Sequence, residues 1–334
     1  MNSIRLRIRL RFAKAFLLAG LALIFASCTG PRATPGTRIE RVSYHGWAGA
    51  IRLTSAQAEA VVVPEIGRVM SFRWRGGKNV FWEDRSLDGR RGDASGKEWI
   101  NFGGDKSWPA PESDWSKITG RKHWMPPTAF DARPVTAEIA NGAVTLTSPV
   151  DPHYGVRTVR RVTLAGSELS VATTYERVSG AASKVSVWVI TQFKEPVLAC
   201  VPVRSDSIFT NGYYAFDQKP WPHLRRTGNR IEITRDPKTA HKMGSDAHAL
   251  AWVGEKEVCV ITPWPADGED YPDRGARAEI YTNPDPKKYV ELETLGPLVW
   301  LKAGEKISHG QHYSLHPRSH QSPAEDLEAL GFFR

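Results

Sequence analysis

Short segments with the residue pattern of β-strands follow one another along almost the whole chain. The stretch AEAVVVPEIGRVMSFRWRGGKNVFWE predicts three strands, because runs rich in Val, Phe and Trp are separated by turns at Gly67 and Gly76–Gly77. Apolar and polar residues alternate in VRTVRRVTLAGSELSVATTYERV, which predicts a hairpin. Further strands are predicted in SKVSVWVITQF, RIEITRD, HALAWVGEKEVCVITPW, ARAEIYTN, KYVELETLGPLVWL and HYSLHPR. The sequence therefore predicts an all-β fold.

These strands occupy about 280 residues without a linker-like break, which predicts one domain over residues 39–318, since β-sandwiches of this size often form single units. The only convincing helix is predicted at the C-terminus, in SPAEDLEALGFF. Ser322 is suited to capping this helix, Pro323 to its first position and Glu325 to a capping box. Residues 319–334 are therefore predicted to form a terminal helix and tail.

The N-terminal residues 1–27 predict an export signal. Five cations within Arg5–Lys14 precede an apolar run, Ala15–Ala26, that is too short to span a bilayer. The run ends in FASC, which resembles the lipobox of bacterial lipoproteins. This resemblance implies that Cys28 becomes the lipidated first residue of the mature chain.

The residue after the cysteine bears on location. By the rule for Gram-negative lipoproteins, Thr29 in this position implies the outer membrane, with the protein facing the periplasm. Residues 28–38, rich in Thr, Pro and Gly, are then expected to form a flexible tether. The alternative is a soluble secreted protein whose ordinary signal sequence happens to end beside a cysteine.

Charge and cysteine content exclude several classes of function. The whole chain carries a formal charge of +9, but five cations lie in the predicted signal, so the remaining chain carries +4. Its charges are interspersed, and no basic block indicates nucleic acid. Cys200 and Cys259 lie in apolar, strand-like runs and form either two buried thiols or one bridge. Neither CxxC nor HExxH occurs, so no zinc site is indicated, and we predict no cofactor.

The segment NFGGDKSWPAPESDW, residues 101–115, shows neither strand alternation nor helical periodicity. We interpret it as an irregular loop, and loops often present binding groups on a rigid scaffold. Sugar recognition requires flat aromatic faces and paired hydrogen-bonding groups. The candidate sugar-binding residues of this segment are Asn101, Asp105, Lys106, Trp108, Asp114 and Trp115. We expect Asp105 and Lys106 to pair in an open pocket; the alternative is a packed turn, since tryptophan is usually buried.

Several motifs together resemble the galactose mutarotase-like proteins. AVVVPEIGRVMSFRWRGGKNVFWE is similar to their opening strands, SPVDPHYGVRTVRRVTL to a later long strand, and KYVELETLGPL to the strand that presents a catalytic Glu in sugar epimerases. The run from KEWINFGGDKSWPAPESDW to YVELETLGPL is similar to an uncharacterised bacterial family of the same group, over residues 40–318. The resemblance implies a galactose mutarotase-like β-supersandwich with few short helices. A fold of this kind hosts many chemistries, so it implies a carbohydrate ligand without fixing a reaction.

The same resemblance implies catalytic candidates. Mutarotation requires a base and an acid, usually a Glu and a His. The resemblance implies Glu293 for the carboxylate, and His153 in DPHYG is the candidate histidine. The alternative for His153 is a solvated histidine in a loop. Glu291 lies two residues before Glu293 on the same strand face, so one of the two is expected to face solvent or pair with a cation. The segment VSVWVITQF, where mutarotases place a histidine on a central strand, offers Gln192 and no histidine.

Other candidate ligand-binding residues are scattered along the chain, at Arg157, Lys242, Tyr271 and Asp273. The carboxylates at positions 267, 269, 270 and 273 have oxygens suited to calcium. Their spacing fits no known calcium loop, so a solvated acidic turn is favoured.

Three hypotheses for function follow. The first is an envelope lipoprotein that binds a carbohydrate in a groove of a mutarotase-like β-sandwich, with residues 101–115 lining the groove. The second is a carbohydrate-active enzyme, epimerase-like or other, that uses Glu293 and His153 as acid and base. The third, a structural protein of the envelope, has no motif of its own.

The lipid anchor is testable by replacing Cys28 with alanine. We expect Cys28→Ala to abolish labelling by a radioactive fatty acid and to leave uncleaved or mislocalised precursor, because the acyl group is attached to this thiol. Cys200→Ala is the matched control and should keep the label. Unchanged labelling and membrane fractionation of Cys28→Ala would show that the anchor is absent.

Overall fold

The structure is a computed structural model that describes residues 36–217, 219–266, 268 and 270–333. The predicted signal peptide and Cys28 lie outside the described residues. Within these ranges no helix has the length and apolar character needed to cross a membrane. Strands dominate, so the predicted all-β fold with few short helices is confirmed.

In chain order the strands are β1 (Arg38–Tyr44), β2 (Trp47–Thr54), β3 (Ala58–Val63), β4 (Arg68–Trp74), β5 (Asp105–Ala110), β6 (Thr136–Ala140), β7 (Ala143–Thr147), β8 (Val156–Ala165), β9 (Glu168–Arg177), β10 (Ser183–Lys194), β11 (Leu198–Pro202), β12 (Tyr214–Ala215), β13 (Leu224–Thr227), β14 (Arg230–Ile233), β15 (His241–Ser245), β16 (Leu250–Val253), β17 (Glu257–Pro263), β18 (Ala278–Thr282), β19 (Tyr289–Leu295), β20 (Val299–Leu301) and β21 (Lys306–Pro317). The helices are α1 (Trp115–Thr119), α2 (Thr128–Asp131), α3 (Pro272–Gly275) and α4 (Pro323–Ala329), with 3-10 turns at Arg85–Leu87 and Glu112–Asp114.

The strands form two antiparallel sheets. The first sheet has the order β1-β2-β3-β4-β5-β10-β19-β18-β15-β12, and β20 pairs with the N-terminal end of β10. The second has the order β13-β14-β11-β16-β17-β21-β9-β8-β7-β6. Both sheets contain neighbours that are distant in sequence, so the two halves of the chain are interleaved in each sheet.

Aromatic side chains fill the space between the two sheets. Tyr313 on β21 of the second sheet meets Phe72 and Phe81 edge-on, with ring centres 6.4 and 5.7 Å apart. Phe193 on β10 stacks on Trp252 of β16, with ring centres 5.8 Å apart. These pairs belong to one large buried apolar cluster with contributions from both sheets, which is the arrangement of a β-sandwich core.

The predicted C-terminal helix is present as α4. Ser322 precedes it in an extended conformation, but its side chain makes no capping hydrogen bond in the described structure. The helix is held by packing, because Leu327 and Phe332 are buried against Cys200 and its neighbours on the second sheet. Cys200 and Cys259 are both free and buried, so the structure contains two thiols and no bridge between them.

The interpretation of residues 101–115 as one irregular loop is wrong for its middle part. Asp105–Ala110 forms β5, which lies in the interior of the first sheet and pairs with β10. All six residues are buried, and side chains on both faces of the strand have partners. Asp, Lys and Pro are depleted in strands, so the strand propensity of these residues did not predict β5. The strand forms because contacts with residues distant in sequence outweigh that propensity.

Alternation along β5 directs Asp105 and Lys106 to opposite faces of the sheet. Asp105 points toward the second sheet, where it pairs with Arg160 on β8 and accepts hydrogen bonds from Thr191 and Tyr313. Its side chain is fully buried. The expectation that Asp105 and Lys106 pair with each other in an open pocket is therefore wrong, and Asp105 is a structural residue between the sheets.

Removing Arg160 should leave Asp105 buried without its charged partner, a loss of about 3–5 kcal/mol. We expect Arg160→Met to lower the free energy of unfolding by that amount in urea titrations at neutral pH. Arg157→Met is the matched control, since Arg157 lies on the same strand and pairs with Glu176 at 2.7 Å in a partly exposed position. A surface pair contributes about 0–1 kcal/mol. Equal losses in both variants would contradict a special role for the buried pair.

Candidate functional site

The outer face of the first sheet, directed away from the second sheet, carries a compact group of polar and aromatic side chains. Strand pairing places Trp188 opposite Trp108, and Gln192 opposite Glu291. Because paired residues in an antiparallel sheet point to the same face, side chains from β5, β10 and β19 meet there. Glu293 follows Glu291 on that face of β19, as the sequence predicted from their spacing.

A cavity of about 280 Å³ opens beside these side chains. Six aromatic residues, three carboxylates and one lysine line it: Trp99, Trp108, Glu112, Trp124, Trp188, Lys242, Tyr281, Tyr289, Glu291 and Glu293. No histidine is among these lining residues of the described chain. The cavity thus combines flat apolar walls with charged groups.

Glu293 is held by two donors on one of its oxygens. Its Oε2 accepts hydrogen bonds from Trp188 Nε1 at 2.7 Å and from Lys242 Nζ at 2.9 Å. Its Oε1 is buried and has no hydrogen-bond partner among the described residues. One oxygen therefore fixes the carboxylate, and the other keeps its hydrogen-bonding capacity.

Lys242 joins Glu293 to a second carboxylate. Lys242 Nζ lies 2.7 Å from Glu279 Oε2, and the side chain of Glu279 is fully buried. Burial lowers the pKa of Lys242, but the carboxylates of Glu279 and Glu293 outweigh it and raise that pKa well above its usual value. Burial also raises the pKa of Glu279 well above its usual value, although Lys242 opposes this shift. Lys242 is therefore a cation at neutral pH.

Glu291 is paired with the other lysine of the site. Its Oε1 lies 3.4 Å from Lys106 Nζ and accepts a hydrogen bond from Gln192 Nε2 at 2.8 Å. Burial raises the pKa of Glu291 and lowers the pKa of Lys106, and their mutual attraction opposes both shifts. Lys106 Nζ also lies 4.7 Å from the centre of the Trp108 ring. Each carboxylate of β19 thus has its own lysine, which goes beyond the single cation pair that we expected.

Five tryptophans pack against one another at one side of the cavity. Trp108 is at the centre of the group, with ring centres 5.9 Å from Trp99, 5.4 Å from Trp115, 5.9 Å from Trp124 and 5.6 Å from Trp188. All four contacts are edge-to-face, the geometry that aromatic quadrupoles favour. The cluster presents a stiff aromatic wall to the cavity.

Hydrogen bonds fix the orientation of this wall. Trp108 Nε1 donates to Asp131 Oδ1 at 3.0 Å, and the same oxygen accepts from Arg68 at 2.6 Å. Trp115 Nε1 donates to the carbonyl of Pro109 at 2.7 Å. Both indole rings are therefore held from behind by groups that do not line the cavity.

The structure brings six of the sequence-predicted site residues together around the cavity, namely Lys106, Trp108, Gln192, Lys242, Glu291 and Glu293. Asn101 contributes through Tyr289, whose hydroxyl accepts a hydrogen bond from Asn101 Nδ2 at 3.2 Å. Trp115 belongs to the tryptophan cluster but does not line the cavity. Asp273 is close to the charged group, because Lys242 and Glu293 both affect its pKa, which burial raises.

Other predicted residues lie away from the cavity lining. His153 is in an exposed turn before β8, a strand of the second sheet, and Arg157 on β8 pairs with Glu176. Asp114 lies in a 3-10 turn before α1. Tyr271 lines a different cavity of about 340 Å³, where the guanidinium of Arg277 lies 4.4 Å from its ring centre. The alternation of side chains along a strand correctly placed Glu291 and Glu293 on one face. It could not show which loops lie near that face.

Sequence reasoning missed several lining residues. Tyr281 stands in ARAEIYTN two residues after Glu279, the buried partner of Lys242, and Tyr289 stands two residues before Glu291 in KYVELET. Polar groups at every second position of apolar strands were a usable signal, because one strand face carries them all. Trp99, Glu112 and Trp124 lie outside the strands, and no periodicity marks them.

Within the described part of the chain, no group of three or more His, Cys, Asp or Glu side chains has the arrangement to hold a metal ion. Glu291 and Glu293 at the cavity are instead paired with Lys106 and Lys242.

Solved structures with a related fold are galactose mutarotase-like proteins. One from Lactobacillus casei is 14% identical with a TM-score of 0.55, and the alignment covers 80% of this chain and all of that one. Another, from Clostridium acetobutylicum, is 11% identical with a TM-score of 0.55, covering 85% and 100%. No family model and no curated protein matches the sequence. At such identities the likeness shows the fold, which is galactose mutarotase-like, while membership of the uncharacterised bacterial family stays a prediction.

The raised pKa of Glu279 predicts a specific dependence of stability on pH. A carboxyl whose pKa is higher in the folded state favours folding when protonated, and this stability is lost as pH rises above the unfolded value of 4.5. The free energy of unfolding of the wild type, measured relative to Glu279→Gln, should therefore fall from about pH 4 to pH 8. A tenfold difference in proton affinity between the folded and unfolded states corresponds to about 1.4 kcal/mol. Glu138→Gln on β6 is the control, because Glu138 is exposed, and its difference should change less with pH. A flat profile for Glu279→Gln would contradict the prediction.

Proposed function

We propose that the cavity on the outer face of the first sheet binds a carbohydrate. The observation that carries this proposal is the combination of an aromatic wall with buried polar atoms that have no partner in the described structure. Glu293 Oε1 is such an acceptor and Trp99 Nε1 is such a donor, and both residues line the cavity. Unpaired buried polar atoms are rare in native proteins. A sugar hydroxyl both donates and accepts, so a sugar can satisfy both groups.

The charges of the cavity favour a neutral sugar. The two lysines of the site, Lys106 and Lys242, are already paired with carboxylates of the site. Glu112 adds a further carboxyl group to the lining. Like charges at short range in a partly buried site repel. A sugar acid or sugar phosphate would therefore bind more weakly than the neutral sugar of the same stereochemistry.

The mutarotase-like fold supports a second candidate, interconversion of sugar anomers. This reaction requires a base at the anomeric hydroxyl and an acid at the ring oxygen. The sequence matched these roles to Glu293 and His153, but His153 is exposed in a turn outside the cavity lining. Within the cavity the acid would be Glu291, whose pKa is raised by burial and which neighbours Glu293 on β19.

We also propose that this domain is held at the bacterial cell envelope, on the outer membrane and facing the periplasm, by an acyl group on Cys28. The support is the signal sequence and its FASC motif. Since Cys28 lies outside the described residues, the fatty-acid labelling of Cys28→Ala is the test of this part.

Binding is testable by isothermal titration of the wild type and Glu293→Gln with neutral mono- and oligosaccharides and with the matching uronic acids. A hydrogen bond to a charged group contributes about 1.5–3 kcal/mol, so we expect Glu293→Gln to weaken binding roughly ten- to hundredfold. Arg157→Met and His153→Ala are controls outside the cavity lining and should bind as the wild type does. Absence of binding across the panel, or unchanged affinity of Glu293→Gln, would contradict the proposal.

The enzymatic candidate requires a separate measurement on any sugar that binds. Exchange between anomers, followed by nuclear magnetic resonance, should be faster with wild type than in buffer if Glu293 acts as a base. That acceleration should disappear in both Glu293→Gln and Glu291→Gln and persist in His153→Ala. Binding without acceleration would leave carbohydrate binding as the function of the site.

A further inference from the structure

Aromatic rings continue beyond the cavity on the side opposite the tryptophan wall. Phe216 follows β12, the edge strand of the first sheet, and is 43% exposed. It is not one of the residues that line the cavity. A single exposed apolar side chain is common on protein surfaces, and Phe216 differs because Lys242 joins it to the aromatic wall of the cavity.

Lys242 connects Phe216 to the wall of the cavity. Its ammonium lies 4.5 Å from the ring centre of Trp188 and 5.0 Å from that of Phe216. The Phe216 ring in turn packs on Tyr214, with ring centres 4.8 Å apart. The aromatic row therefore runs from the tryptophan wall past the carboxylates and on to Phe216 and Tyr214.

The order of strands explains why this row is long. Trp108 is on β5 and Tyr214 on β12, and β10, β19, β18 and β15 lie between these two strands. The contacts that link Trp108 through Trp188, Lys242 and Phe216 to Tyr214 are each 4.5 to 5.6 Å long, so the row extends over less than about 20 Å. It runs across the strands, from β5 through β10 and β15 to β12.

Polar groups accompany the aromatic rings at the Phe216 end as well. The hydroxyl of Tyr214 is buried with no partner within the described chain, and the guanidinium of Arg274 lies 5.2 Å from the Tyr214 ring centre. Arg274 is itself exposed. The end of the row thus repeats, on a smaller scale, the pairing of aromatic faces with hydrogen-bonding groups found in the cavity.

We propose that the ligand of this site is an oligosaccharide of at least two sugar units. One unit occupies the cavity over Glu291 and Glu293, and the next stacks on Phe216 with Arg274 in reach of its hydroxyls. This inference rests on the proposed carbohydrate binding and narrows it to a class of ligand. A single sugar ring covers one aromatic face, so a monosaccharide in the cavity would leave Phe216 exposed.

The test compares sugars of different length on one protein. Isothermal titration with mono-, di- and trisaccharides of glucose, galactose and mannose would use wild type, Phe216→Ala and Trp300→Ala. Trp300 on β20 is the matched control, because it is 62% exposed and lies outside the aromatic row.

We expect the wild type to bind a disaccharide at least tenfold more tightly than the corresponding monosaccharide. In Phe216→Ala this ratio should fall to near one, while Trp300→Ala should keep the ratio of the wild type. A wild type that binds mono- and disaccharides equally, or a ratio unchanged in Phe216→Ala, would overturn the inference and leave the proposed carbohydrate binding intact. Failure of every saccharide to bind the wild type would overturn both.

Discussion

The ion pair between Asp105 and Arg160 fixes the part of the sandwich on which the candidate site is built. Asp105 stands on a central strand of the first sheet and Arg160 on the second, and Asp105 points to the face of β5 opposite to that of Lys106 and Trp108. A shift of β5 by one residue would move Asp105 to the outer face and Lys106 to the interior, since side chains alternate. Burying a lysine opposite Arg160 would place two like charges together. The inner pair therefore specifies the register that directs Lys106 and Trp108 outward.

On the outer face of the first sheet, ion pairs between strands also hold the charged side chains of the site. Glu291 and Glu293 are buried on adjacent outward positions of β19, and each is held by a lysine from another strand. Buried carboxylates of like charge destabilise a fold unless cations compensate them. Lys242 and Trp188 both donate to Oε2 of Glu293, and its Oε1 has no partner in the described structure. The stabilising contacts thus use only part of the hydrogen-bonding capacity of Glu293, and the remaining oxygen is the one that the proposed carbohydrate would contact.

The fold was predictable from the sequence, because alternation and turn residues mark most strands and the opening motif resembles mutarotase-like proteins. The shared face of Glu291 and Glu293 followed from their spacing alone. The strand β5 was not predictable, since Asp105 and Lys106 are stabilised there by Arg160 and Glu291, which are distant in sequence. The same limit applies to His153, because the sequence does not show that its turn lies at the second sheet, outside the cavity lining.

Lysines in place of a histidine restrict the chemistry that the cavity supports. A histidine exchanges protons near neutral pH, whereas the raised pKa of Lys242 keeps this residue charged across that range. Lys242 therefore contributes a fixed positive charge that orients Glu293 and is not itself available as a base. Among the groups at the cavity, Glu291 is suited to proton transfer, because burial has raised its pKa in the direction that an acid requires. A site that only binds sugars needs none of this transfer, and the fixed charges then serve solely to hold the carboxylate oxygens in place for the hydroxyl groups of the ligand.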